Sequence, residues 1–282
     1  MTEHVDQKHH VKQVFERTAR TYDTIVPFFA AFGQKMVAWS ELERGQRVLD
    51  IAVGRGAVLK PALRAIGPTG RIVALDMSPA MINELAADLG AVDGTNVDLV
   101  VMDAEALGLA GGVFDAVLCG FAVHLLPHPG QAIAEVLRVL RPGGIFVFSI
   151  PGPGSGTRWS FYSVAIERFH SLVDAAKWSL AEPPDPVQLL REARFVSVEK
   201  VYEEVHLSIE SPEVFWAMEM SHGMRGFIDA LPDVAQREFK AEVFRGLDEM
   251  GKHRPIVLDR GAYFIKAFKP EKTEAAHPLP SA

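Results

Sequence analysis

Five short runs of almost unbroken apolar residues in the first 151 positions limit what this chain can become. They are RVLDIAV (47–53), RIVALDM (71–77), VDLVVMD (97–103), FDAVLCGFAV (114–123) and GIFVFSI (144–150). A strand with one wet face alternates apolar and polar residues. Runs without alternation belong to strands covered on both faces. Helical patterns lie between several of them. SPAMINELAADL opens with Ser78 as N-cap and Pro79 in the first turn. GQAIAEVLRVL (130–140) runs into Pro142-Gly143-Gly144, a strong helix stop. Such alternation predicts an α/β fold with a doubly wound, mostly parallel, Rossmann-like sheet.

Two later runs, FVSVEKVYEEVHL (195–207) and GAYFIKAFKP (261–270), read as an antiparallel strand pair and bring the sheet to seven strands. The chain then divides by pattern. Residues 1–40 are helical and amphipathic, as a lid would be, and 41–151 form the core. PGPGSG (151–156) is a flexible loop. Segments 152–182 and 208–255, rich in aromatics and methionine, are insertions that cap the core. Segments 183–207 and 256–270 return the last core helix, PPDPVQLLREA (183–193), and the last strands. Residues 271–282 read as a disordered tail.

Charge and cysteine content narrow the partners. The 282 residues carry a formal net charge of −7, and no long basic run appears, so nucleic acid is not expected. The lone cysteine, Cys119, cannot form an internal disulfide, which fits a reducing cytoplasm. The N-terminus lacks an apolar signal core, and no apolar stretch reaches the roughly 20 residues of a membrane helix. Membrane insertion is not expected.

The first strand ends in a glycine loop, Asp50-Ile-Ala-Val-Gly-Arg-Gly-Ala. It fits the dinucleotide pattern G-x-G-x-x-G poorly: Ala52 stands at the first glycine and the third is missing. Taken alone, the loop is a tight strand-to-helix turn. Three acids add to it. Asp50 lies just before the loop, Asp76 ends the second strand 26 residues later, and Asp103 ends the third. An acid at such a strand tip accepts from a ribose diol, and Asp103 could accept from an exocyclic amine. Acids here would repel a pyrophosphate but suit an adenosine that carries a cationic amino-acid tail.

VLDIAVGRG, VALDMSPAMI, VVMDAEAL, FDAVLCGFAVHLL and VLRVLRPGG, in this order, resemble the motifs of class I S-adenosylmethionine-dependent methyltransferases. The likeness covers about residues 10–151. It is nearest to the ubiquinone/menaquinone-biosynthesis branch and its relatives in bacterial natural-product pathways. The resemblance implies S-adenosylmethionine as cofactor, leaving S-adenosylhomocysteine. It places Asp50 near the methionine amino group, and Gly54 and Gly56 where backbone approaches the cofactor. Asp76 would bind the ribose, Met77 would pack on adenine, and Asp103 and the Ala104 amide would meet the adenine edge. Phe121 would lie near the methionine part. Ala52 departs from the family's usual glycine. VFERTARTYD (14–23) resembles the family's N-terminal segment. Phe15, Ala19 and Tyr22 share a helical face there, either packing on the core or closing Tyr22 over the cofactor, its hydroxyl on the methionine carboxylate.

The motifs serve the cofactor, so acceptor specificity falls to the N-terminal helices and the two insertions. Their aromatic and methionine content suits an apolar small-molecule acceptor. That acceptor could be an isoprenoid or a phosphorylated compound, and a homodimer remains open. His124 follows the fourth strand at the edge where acceptors meet the methyl group, and is a candidate base. In SPEVFWAMEMSHGMRG (211–226), Ser211 and Pro212 start a helix that Gly223 or Gly226 could end. Glu219 and His222 lie on one side of it. Either they pair structurally, or they face the acceptor as catalytic base and orienting imidazole. Arg225 could hold a phosphate or carboxylate. No metal-ligand spacing appears. The competing reading is a methyltransferase fold recruited as a natural-product cyclase or pericyclase, or as an accessory binding protein.

Overall fold

The computed structural model describes residues 2–90, 96–154, 158–174, 178, 184–252 and 255–271. The first five strands are β1 (Arg47–Ile51), β2 (Arg71–Asp76), β3 (Val97–Val101), β4 (Phe114–Cys119) and β5 (Leu140–Pro151). Helices α1 (Thr2–Thr18) and α2 (Phe28–Ser40) precede them. Helices α3 (Leu59–Ile66), α4 (Pro79–Leu89) and α5 (Pro129–Val139) connect them. Then follow α6 (Ser160–His170), α7 (Pro186–Glu192), β6 (Val196–Ile209), α8 (Pro212–Glu219), α9 (Met224–Asp229), α10 (Asp233–Gly251) and β7 (Ile256–Phe268).

The seven strands form one sheet in the order β3-β2-β1-β4-β5-β7-β6. The first five are mutually parallel, and β7 runs antiparallel to both β5 and β6. The unbroken apolar strands have their explanation in the two faces. Leu49, Ile51, Val117, Phe146 and Phe148 point into an apolar layer with Val136 of α5 and Leu190 of α7. Their neighbours Val48, Ala116, Leu118 and Val147 point into the opposite layer with Phe32 of α2, Leu59 of α3 and Leu85 of α4. A third cluster forms where α6, α8, α9 and α10 pack on the ends of β6 and β7, around Tyr162, Phe169, Phe215, Phe227 and Phe239.

Ser78 caps α4 as the pattern predicts, its side chain accepting from the Met81 amide with Pro79 in the first turn. Ser211 does the same for α8. Three boundaries differ from expectation. Strands β3 and β4 stop at Val101 and Cys119, so Asp103 and Phe121 stand in the loops beyond them. Helix α5 stops at Val139, before the Pro-Gly-Gly. Leu140 already pairs with Phe114, and the ladder then shifts to Ala116 opposite Ile145, making Arg-Pro-Gly-Gly a bulge in β5. Helix α8 ends at Glu219, short of both glycines. The Ser221 hydroxyl takes the Met218 carbonyl (2.6 Å), and Gly223 instead begins α9, which contains Gly226. The expected tail from 272, part of the loop at 151–156 and most of 175–183 lie outside the described residues. Among the described residues no helix is long and apolar enough to cross a membrane.

Candidate active site

The chain reverses direction across the sheet between β1 and β4, and open α/β sheets bind ligands at that switch point. A cleft of about 760 Å³ opens there. It is walled by Ala52 and Gly54 after β1, Asp76 and Met77 at the end of β2, Asp103 and Ala104 after β3, and Phe121 after β4. Val11, Phe15 and Tyr22 of the N-terminal segment lie across it. A smaller space of about 370 Å³ continues past Tyr22, Gly54 and Phe121 to Asp50 and Ser149. Nine of the residues selected from the sequence thus line these two adjoining spaces: Tyr22, Asp50, Ala52, Gly54, Asp76, Met77, Asp103, Ala104 and Phe121. Gly56 stands behind them and serves the turn. Its φ is +82°, and a Cβ there would meet Leu85 at 2.9 Å.

Asp50 is 1% exposed, and neither of its carboxylate oxygens has a hydrogen-bond partner. Burial, and then the charge of Asp76, push its pKa well above the ordinary range. A buried carboxylate left this way is costly unless a cation meets it. Asp76 is satisfied differently. Its Oδ2 accepts from the Gly54 amide (3.0 Å) and its Oδ1 from the Ser78 amide (2.9 Å), tying the glycine loop to the start of α4. The Met77 amide is a third backbone donor to this carboxylate. Burial raises its pKa, and those amides pull it back.

Helix α1 ends at Thr18, so Tyr22 stands in the turn beyond it rather than on the helix. The Tyr22 amide still donates to the Thr18 carbonyl (2.8 Å), and its ring meets Phe15 edge-on and stacks on Phe29 at 4.9 Å. Burial, then Asp23 and Asp76, hold the phenol well above its usual pKa, so it stays protonated.

Sequence reasoning passed over Lys8. Its ammonium joins Asp103 Oδ2 (2.7 Å) and Glu105 Oε2 (2.5 Å), closing α1 over the Asp103 end of the cleft. Burial lowers its pKa, but the two carboxylates outweigh that and the net shift is upward. The signal that could have found it was the spacing of Lys8, Val11 and Phe15 on one helical face.

On the cap side, Glu219 is 4% exposed, and its partner is a residue the sequence did not single out for this role. The Tyr162 hydroxyl donates to Glu219 Oε2 at 2.5 Å. Burial, then Glu219, keep that phenol well above its ordinary pKa. Glu219 Oε1 lies 3.9 Å from His222 Nε2. His222 Nδ1 accepts from the Met224 amide (3.3 Å), which leaves the ring proton on Nε2. Burial lowers the His222 pKa, so the ring is neutral. His222 also packs on Phe28 and Phe29, which both pack on Phe121 of the cleft.

His124 lies in a 3₁₀ turn, Val123–Leu125. Ala122 and Leu125 beside it line the cleft, while His124 does not. Its Nδ1 is buried without a partner, and burial takes its pKa down to about 4. Arg225 is turned onto its own helix, with Nε 3.2 Å from Asp229.

A cleft at the switch point, with an unpaired buried carboxylate in the space beside it, suits a nucleoside with a cationic tail. An α/β sheet of this order holding such a cleft is the architecture of an S-adenosylmethionine-binding transferase. The comparisons agree. Residues 49–148 match the methyltransferase domain family. The aklanonic acid methyltransferase DauC of Streptomyces sp. (strain C5) is 38% identical over 151 residues, 53% of this chain and 69% of that protein. Nocamycin O-methyltransferase of Saccharothrix syringae is 27% identical over 259 residues, 86% of this chain and 92% of that protein. The fold is shared with Haemonchus contortus phosphoethanolamine N-methyltransferase 2, solved with S-adenosylhomocysteine (TM-score 0.53, 16% identity, 84% of this chain and 52% of that one). The chain belongs to the class I S-adenosylmethionine-dependent methyltransferases, and S-adenosylmethionine is its cofactor.

Proposed function

We propose that this methyltransferase acts on a small, largely apolar metabolite, at oxygen or carbon, in bacterial secondary metabolism or in isoprenoid and quinone metabolism. The observation that carries this is the unbroken aromatic path from the cleft to the cap. Tyr22 stacks on Phe29, Phe29 meets Phe121 at 5.6 Å, and Phe28 and Phe29 meet His222 at 6.5 and 5.7 Å. These walls would hold a flat or greasy acceptor and offer nothing to a phosphate backbone. The relatives named for aklanonic acid and nocamycin support a small-molecule acceptor.

In this reading Asp50 holds the methionine ammonium, Asp76 the ribose hydroxyls, and Asp103 with the Ala104 amide the adenine edge. Met77 packs on the base, Gly54 lets the loop close, and Phe121 and Tyr22 shield the methionine part. The bound sulfonium supplies an electrophilic methyl group. The protein's task is to align the acceptor in line with it, exclude water and take up a proton. Glu219 is the base, fixed by Tyr162 at Oε2, with Oε1 3.9 Å from His222 Nε2. It receives the acceptor proton directly or through His222, which orients the acceptor.

A labelled-donor assay on a metabolite extract of the source organism should place label in organic-extractable small molecules. Label in protein or RNA alone would end the small-molecule reading. With the acceptor in hand, Glu219→Gln should fold normally, bind S-adenosylhomocysteine normally and lose turnover by about 10²-fold or more. Near-normal turnover would make the carboxylate structural and His124 the better candidate base.

A further inference from the structure

Arg55 stands between the two glycines of the loop, yet it lines neither part of the cofactor cleft. Its side chain, 12% exposed, runs the other way, to the end of α1. Nη1 donates to the carbonyls of Ala19 (3.3 Å) and Arg20 (2.7 Å). Nε and Nη2 grip the Asp88 carboxylate of α4 at 3.0 and 2.5 Å. Three nitrogens are therefore committed to two elements. The carbonyls lie just past Thr18, at the negative end of α1, where a guanidinium is favoured. Two residues further on is Tyr22, whose ring lies 3.4 Å from where a Cβ on Gly54 would stand.

We propose that Arg55 is a positioning residue that fastens the hinge of the N-terminal segment to the glycine loop and so sets Tyr22 over the bound cofactor. The proposal rests on the reading that Tyr22 covers the cofactor. Gly54 and Arg55 are adjacent, so the loop that receives the cofactor also carries the anchor of its cover. Any shift of the loop moves hinge and ring together. Asp23, next to Tyr22, accepts from the Phe29 and Ala30 amides at 2.8 and 2.7 Å and so ties the far side of the hinge to α2. Towards the loop and α4, the ion pairs other than those of Arg55 are weaker. Arg20 to Glu84 is a solvated 3.7 Å contact with Arg20 90% exposed, and Lys60 reaches Asp88 only at 3.8 Å. Lysine cannot substitute for Arg55, because a point ammonium cannot hold a carboxylate at two points and two carbonyls at once.

The test is a double-mutant cycle read by calorimetry with S-adenosylhomocysteine as probe. Tyr22→Ala and Arg55→Lys should each weaken binding about tenfold, and Arg55→Lys should add less than about twofold once Tyr22 is alanine. In the protein without cofactor, trypsin should cut after Arg17 or Arg20 several-fold faster in Arg55→Lys than in the wild type. If Arg55→Lys does not fold, Asp88→Asn loosens the same guanidinium from outside the lid and should show the same non-additivity. Losses that add in full would overturn the proposal while leaving the Tyr22 cover intact, and so would unchanged affinity in Arg55→Lys. Unchanged affinity in Tyr22→Ala would remove the cover and Arg55's role with it.

Discussion

Two carboxylates lie buried, Asp50 beside the cleft and Glu219 within the cap, and their surroundings differ in kind. Asp50, 1% exposed, has no partner on either oxygen. Glu219, 4% exposed, holds the Tyr162 hydroxyl and faces His222. The backbone follows the same division. Ala52 and Phe121, at the ends of neighbouring strands, have φ of 55° and 52°, a conformation non-glycine residues rarely adopt. Among the described residues of the cap, 208–252, none has positive φ. Folding alone explains Glu219, because its hydrogen bond is made without a ligand. It does not explain Asp50, which is paid for only when a cation arrives. At Ala52, Phe121 and Asp50, strain and unmet polarity lie where a ligand would complete the structure.

The sharpest way to break that contrast is to remove each charge. Asp50→Asn should weaken S-adenosylhomocysteine binding about 10²-fold, the scale of one lost charge-assisted contact in a dry site. Its stability without cofactor should not fall. The folded-state pKa of Asp50 is raised, so the folded protein holds that proton more tightly than the unfolded chain. Stability is therefore lost as pH climbs from the ordinary range through the raised value, and asparagine abolishes that loss. A ligand ammonium favours the ionised form, so binding should release a proton and tighten with rising pH. Calorimetry in buffers of different ionisation enthalpy reads this directly. Glu219→Leu should do the reverse. It strands a buried phenol at a cost of about 1–3 kcal/mol, so the melting temperature drops while S-adenosylhomocysteine affinity holds. A melting temperature that falls in Asp50→Asn and is unchanged in Glu219→Leu would refute the comparison.

His124 extends the contrast to a group that is neutral rather than charged. Its pKa of about 4 lies below the unfolded value of 6.5. The depressed value means its contribution is complete above pH 6.5 and is lost as pH falls towards 4. The shift caps that contribution at about 3 kcal/mol. His124→Phe should flatten the fall in denaturant midpoint across that window. An unchanged pH profile in His124→Phe would show that the imidazole is hydrated in the folded protein.

What could be read from the sequence divides along the same line. The strand tips were legible because a parallel strand buried on both faces must be apolar. An acid inside such a run, as at Asp50 and Asp76, is then conspicuous. Asp103 stood out for the same reason, although the strand stops two residues short of it, whereas Ala104 and Phe121 came through family motifs. The bulge at Arg141-Pro142-Gly143-Gly144 read as a helix stop, because proline and glycine mark any break in regular structure and do not say which kind. Contacts between distant segments were not legible. Lys8 meets Asp103 across 95 positions and Tyr162 meets Glu219 across 57, and no local pattern encodes either pairing. In the cap, periodicity identified Glu219 and His222 as a pair on one side of a helix. The helix in fact ends at Glu219, because the Ser221 hydroxyl competes for a backbone carbonyl.

The smallest effect concerns Ala52, where the chain departs from the family's usual glycine. Its φ of 55° places it in the left-handed region, and it lines both parts of the cleft. The Cβ costs about 1–2 kcal/mol in that conformation. Glycine removes the cost but gives back part of it through a freer unfolded chain. The net for Ala52→Gly should be a gain of about 0.5–1 kcal/mol in unfolding free energy, with S-adenosylhomocysteine affinity unchanged within about twofold. Such a gain would show that the core end carries strain which cofactor binding does not require. A loss of stability would mean that the Ala52 methyl, packed against the apolar layer beneath the sheet, contributes more than its backbone costs. The strain at this end would then rest on Phe121 alone.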